Sequence, residues 1–164
     1  MHLATHRLRT VTALRTTILA AMLSLGLLSC GDGTSPLGQR LELGTNRAKW
    51  QRAGLASYTY TLQQSCFCAF TQPVRLYVVN DVVVRALASP GDSAVSPQFF
   101  PTVDRLFAFI DDAIARRAAV LRVTYDPTLG YPVEIVYDGA LNAADDEVTY
   151  HVTDLHASAP PPTP

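Results

Sequence analysis

Six short strand-like runs, five of them alternating with a period of two, restrict the fold of this chain more tightly than anything else in the sequence. Tyr58, Tyr60 and Leu62 alternate with Thr59 and Thr61, and Val74, Leu76 and Val78 alternate with Arg75, Tyr77 and Val79. A third run, Val82 to Leu87, follows Asn80-Asp81, a pair that tolerates positive φ and so predicts a two-residue hairpin turn. Leu121, Val123 and Tyr125 form a fourth run, Val133, Ile135 and Tyr137 a fifth, and Val148, Tyr150 and Val152 a sixth. Strands of this kind bury one face and leave the other wet, which implies antiparallel pairing with a cover on one side.

The cover is expected from two helices. Thr102 offers an N-cap and Asp104 an acid in the first turn; Val103, Leu106, Phe107, Ile110 and Ile114 then form one apolar stripe to about Ala118. Asp112 and Arg116 stand at i,i+4 on the other side. A shorter helix, capped by Thr45 or Asn46 and running to about Leu55, carries Trp50. Ser89 to Pro101 reads as a loop, and Asp126-Pro127-Thr128-Leu129-Gly130 as a turn, with Pro early and Gly at a late positive φ. The predicted fold is α+β: an open antiparallel sheet of about six strands with two helices on one face, in the order α-βββ-α-βββ. That layout is similar to the secreted inhibitor protein of β-lactamases.

Both ends of the chain stand apart from this pattern. Arg7, Arg9 and Arg15 precede an uncharged apolar run, Thr16 to Leu28. Thirteen helical residues span about 20 Å, short of the roughly 30 Å hydrocarbon core, so a signal peptide fits better than a membrane span. The run ends in Leu27-Leu28-Ser29-Cys30, which resembles the lipobox of bacterial lipoproteins. That resemblance implies a signal peptide over residues 1–29 and acylation of Cys30 as the new N-terminus. It also implies attachment to a membrane by lipid, each buried acyl CH₂ contributing about 0.8 kcal/mol. The expected address is the bacterial cell envelope, on the periplasmic face or the cell surface. Gly31 after the cysteine, where Asp favours inner-membrane retention, tilts this toward the outer membrane. Residues 30–41 read as a flexible tether, 42–156 as one domain, and 157–164, rich in proline, as a disordered tail.

The full chain carries 13 Lys and Arg against 14 Asp and Glu. Removing the leader takes three arginines and no acid, leaving 10 basic against 14 acidic residues. There is no basic excess to neutralise phosphates, so no nucleic-acid partner is expected. With 48% apolar residues the chain is not of the disordered class.

With Cys30 assigned to lipid, two cysteines remain, in Cys66-Phe67-Cys68. On an ideal strand their Cα atoms would lie about 6.6 Å apart, the upper limit for a disulfide, so a bridge needs a bend at the end of the strand. An oxidising compartment favours that local disulfide. Two free buried thiols, a thiolate site for copper(I) or zinc, and a redox-active dithiol are the competing states. A metal site would lack the further Cys or His that such sites use, and the spacing differs from the CxxC of thiol–disulfide enzymes. His151 falls on the polar side of the last strand, as a solvated histidine or as part of a binding surface, with a metal or catalytic role as the competing reading. Tyr58 and Tyr60 share a face, as core or as a ligand platform. Tyr131, at the Asp126 turn, is read first as a packing residue, and is the tyrosine best placed for a wet binding contact as the competing role. Asp145-Asp146-Glu147 reads as a solvated turn without the spaced ligands of a calcium loop. No GxSxG, HExxH, P-loop or GxGxxG occurs. The reading therefore calls for no cofactor, no metal and no catalytic residues.

Trp50, Tyr58-Thr59-Tyr60, Cys66-Phe67-Cys68 and Tyr125-Asp126-Pro127-Thr128-Leu129-Gly130-Tyr131-Pro132 together resemble a family of bacterial lipoprotein domains of unknown function. The likeness spans about Lys49 to Val152. It implies location and fold, and carries no mechanism. The functional expectation is a lipid-anchored envelope protein that binds another envelope component. The alternative is a redox or metal-handling protein using Cys66 and Cys68.

Overall fold

The computed structural model describes residues 35–143 and 145–158. The expected signal peptide, Cys30 and most of the proline-rich tail lie outside them. Helix α1 runs from Pro36 to Ala53. The Ser35 side chain accepts from Gly38 N–H at 3.1 Å, and Pro36 sits at the first helical position, where its missing N–H costs nothing. Gly54, at φ 61, ends the helix in the left-handed conformation.

The start of α1 corrects the sequence reading twice over. Thr45 and Asn46 are not caps: Thr45 Oγ1 donates to the Leu41 carbonyl at 2.9 Å and Asn46 Nδ2 to the Glu42 carbonyl at 3.0 Å, one turn back within the helix. Residues 36–41, read as tether, belong to the helix. Helix α2, Val103–Arg116, matches its expected stripe, with Val103, Leu106, Phe107, Ile110, Ala113 and Ile114 buried. Its Thr102 cap accepts from Arg105 N–H, and Arg116 pairs with Asp112 as anticipated.

Among the described residues seven strands form one sheet, one more than the about six expected. They are β1 (Ser57–Ser65), β2 (Val74–Val79), β3 (Val82–Ala88), β4 (Ser93–Val95), β5 (Val120–Tyr125), β6 (Pro132–Asp138) and β7 (Val148–Ala157). The additional strand, β4, has only three residues, too few to show alternation, and pairs with Ala86–Ala88 at the sheet edge. A 3-10 turn, Pro97–Phe99, leads from it toward α2. The strand order is β4-β3-β2-β1-β7-β6-β5, and every pairing is antiparallel. Chain-distant β1 and β7 therefore join two local ribbons at the centre. Asn80 and Asp81 turn β2 into β3 with φ of 49 and 58, as their positive-φ tolerance predicts.

One core cluster lies between the helices and one face of the sheet, drawing Tyr58, Tyr60 and Leu62 from β1, Val74, Leu76 and Val78 from β2, Ile135 from β6 and Val152 from β7. The alternating residues point away from it. In β7 the alternation survives a bulge: Asp154, at φ 53, takes up the additional residue opposite Tyr60, so Leu155 stays buried.

Candidate functional site

The residues singled out in the sequence separate into an aromatic hub inside the domain and a rim at one end of the sheet. Trp50 stands at the centre of the hub. Its ring meets Tyr58 edge-on at a centroid distance of 5.1 Å and Tyr131 at 6.4 Å. Such pairs contribute about 0.5–1.5 kcal/mol beyond the burial of their area. Trp50 Nε1 donates to Asp104 Oδ2 at 3.2 Å, which ties α1 to the first turn of α2. The Tyr58 hydroxyl accepts from Val103 N–H at 3.1 Å, and the Tyr60 hydroxyl donates to the Pro101 carbonyl. The two tyrosines thus hold the loop that enters α2, which places them as core and not as a ligand platform.

Tyr131 is 9% exposed and belongs to the core, which matches its favoured packing role and removes it from the candidate binding surface. The turn before it explains why. Asp126 Oδ1 accepts from Thr128 and Leu129 N–H, and Gly130 N–H closes on the Asp126 carbonyl at 2.9 Å. Gly130, at φ 79, lies so close to α1 that a Cβ there would come within 2.8 Å of Lys49 Cβ and nearer still to the Asn46 carbonyl. This approach carries Tyr131 onto Trp50. Burial raises the pKa of Tyr58, Tyr60, Tyr125, Tyr131 and Tyr150 above the ordinary phenol value and is the largest cause in each. Hydroxyls held neutral in this way serve structure and are poorly suited to proton transfer near neutral pH.

The rim begins where β1 ends. Cys66 and Cys68 are joined by a disulfide, with Cα atoms 5.2 Å apart, closer than an ideal strand allows, because the chain leaves the sheet after Ser65. The bridge lies at the surface, with Cys68 exposed, and Phe67 between the two cysteines is 86% exposed. Phe70 packs on Phe99 and Phe100 at 5.9 and 5.6 Å. That aromatic group was not legible in the sequence, where Phe99 and Phe100 sit in a proline-flanked loop. An open groove of about 830 Å³ runs past Phe99, Phe100, Phe109 and Tyr150. A second groove, of about 640 Å³, lies between Pro36, Gln39, Ile114, Arg117 and the β5 edge.

His151 occupies the outer face of the sheet, as its position in β7 predicts, with Nδ1 3.6 Å from Glu134 Oε1 and both side chains half-exposed. Arg85 lies over the Tyr77 ring on the same face, at 5.6 Å. The acidic turn is more ordered than its composition suggests: Asp146 Oδ2 accepts from Ala140 N–H at 3.0 Å, folding the β6–β7 loop on itself. Among the described residues no group of three His, Cys, Asp or Glu side chains is placed to hold a metal ion. His151, Tyr131 and the cysteines occupy separate parts of the domain and form no joint site.

An open seven-stranded antiparallel sheet, two helices over one face, a buried aromatic hub and a disulfide-closed rim define an α+β domain. The chain belongs to the Family of unknown function (DUF6174), whose model matches residues 42–157. No curated protein and no solved structure matches it.

Proposed function

We propose that this chain is a lipid-anchored lipoprotein of the bacterial cell envelope whose folded domain is a non-catalytic binding module. The observation that carries the reading is Leu27-Leu28-Ser29-Cys30 at the end of an uncharged apolar run preceded by three arginines. The described residues begin at Ser35, five positions after the cysteine that this reading acylates. The outer sheet face, with the His151–Glu134 pair and Arg85 over Tyr77, offers polar side chains to another envelope component. In this reading the partners are the membrane, through the lipid, and an envelope protein. Replacing Cys30 with Ser should move the protein from the membrane fraction to the soluble fraction; unchanged membrane retention would refute the anchor. Affinity capture of an envelope partner by the native protein tests the binding role, and capture of none counts against it.

A second reading uses the Cys66–Cys68 pair for envelope redox or metal handling, and the surface position of the bridge favours it. Alkylation before and after mild reduction distinguishes the two. A bridge that resists mild reductants, with Cys66→Ser leaving function intact, leaves the binding module as the better account.

A further inference from the structure

The strand register gathers the most exposed apolar side chains at the end of the domain where the chain arrives from Cys30. Ser65 of β1 pairs with Thr149 of β7, Thr149 with Val136 of β6, and Val136 with Arg122 of β5. The end of β1, the end of β6 and the starts of β7 and β5 thus lie in one row. Beyond that row project the Cys66–Cys68 loop, the loop from Gly139 to Glu147 and the connection from α2 to β5. The first turn of α1 reaches the same end, because Gln39 Nε2 donates to the Leu121 carbonyl at 3.2 Å.

Among the described residues, the large hydrophobic side chains with the greatest exposure are Phe67 (86%), Leu141 (74%), Leu37 (69%) and Leu41 (65%). Phe67 and Leu141 stand on the two projecting loops, and Leu37 and Leu41 follow each other at i,i+4 along the start of α1. Val82 and Val84, less exposed, lie toward the opposite end, beyond the pairing of Val79 with Ser57. Isolated exposed apolar residues need no explanation; four gathered at one end do.

The length of chain before the domain says what covers them. Five peptide steps separate Cys30 from Ser35, and a fully extended chain spans at most about 3.6 Å per residue, or about 18 Å here. With Cys30 held in the bilayer by its acyl chains, Ser35, which opens α1 at this end, lies within about that distance of the headgroups. We propose that it is a membrane-contact surface, on which Phe67 and Leu141 dip into the lipid interface while Leu37 and Leu41 lie along it. Arg116, Arg117 and Arg122 share this end with Asp145, Asp146 and Glu147, so the contact rests on apolar tips and not on attraction between opposite charges. The disulfide has a part in this: it fixes the loop that presents Phe67, so that little conformational freedom is lost on insertion. The inference rests on acylation of Cys30.

The test uses the native lipidated protein carrying Phe67→Trp, Leu141→Trp or, as control, Val82→Trp, in phosphatidylcholine vesicles with dibrominated acyl chains. Trp50, buried in the hub, gives the same background in all three. Intact mass of each preparation first reads the state of Cys30. With Cys30 acylated, quenching at positions 67 and 141 should exceed that at 82 at least twofold. Equal quenching at all three positions, with Cys30 acylated, overturns the membrane-contact surface and leaves the anchor standing. A mass without acyl chains removes the tether and overturns both.

Discussion

Trp50 and Phe67 are the most telling pair of aromatic residues in the molecule. Trp50 is 4% exposed and touches α2, β1 and the Asp126 turn; Phe67 is 86% exposed and stands clear of the sheet. Both belong to the short residue patterns that mark this sequence, so a pattern alone does not say whether a residue holds the fold or meets a partner. The hub aromatics sit where sequence-distant elements converge, so removing one leaves a void that rigid neighbours cannot close. The rim aromatics sit where the chain leaves the sheet, and removing one leaves the fold nearly unaffected while altering what the surface can touch.

The largest effect is expected at the hub. Trp50→Ala should lower stability by about 3–5 kcal/mol, through the cavity and the lost bond to Asp104, read by denaturant unfolding. Gly130→Ala comes next: it places a Cβ against α1 at a left-handed backbone position, and a loss of about 1–3 kcal/mol is expected in the same measurement. Ser35→Ala removes the α1 cap and should cost about 1 kcal/mol. Phe67→Ser should change stability by less than about 0.5 kcal/mol, as an exposed substitution does. A Phe67→Ser effect approaching that of Trp50→Ala would erase the distinction between the two regions.

The hub also predicts an alkaline limit. Tyr58, Tyr60, Tyr125, Tyr131 and Tyr150 have folded-state pKa values raised by burial. The folded state therefore holds these protons more tightly than the unfolded state. Their contribution is fully present below about pH 10, the unfolded phenol value, and declines as pH rises above it. Absorbance at 295 nm should show these tyrosines ionising together with loss of the near-ultraviolet circular dichroism signal. Ionisation of all five near pH 10 with the fold intact would contradict their burial.

Much of this fold is legible in the sequence, for reasons that differ by element. Helix α2 shows itself because its stripe is continuous and its cap is Thr102. The strands show themselves because one face is buried and the other is polar. Helix α1 hides its first half: Leu37 and Leu41 are exposed while Asn46 is buried, which blurs the apolar period, and Ser35-Pro36 lies in a stretch whose Gly, Ser and Pro content resembles that of a tether. Strand β4 is too short to alternate. Tyr131 reads as a loop residue, and only the close approach of Gly130 to α1, a contact distant in sequence, turns it inward. The cysteine pair stands out by spacing, whereas the gathering of Phe67, Leu141 and Leu37 at one end depends on strand register, which local residue patterns do not encode.

The proposed anchor supplies the frame for the membrane-contact surface proposed at the rim, and the intact mass of the protein purified from the cells that make it tests it most directly. The account predicts a chain that starts at Cys30 and carries the added mass of a diacylglycerol on that residue. A chain that starts at any other residue, or a Cys30 free of acyl groups, would contradict it.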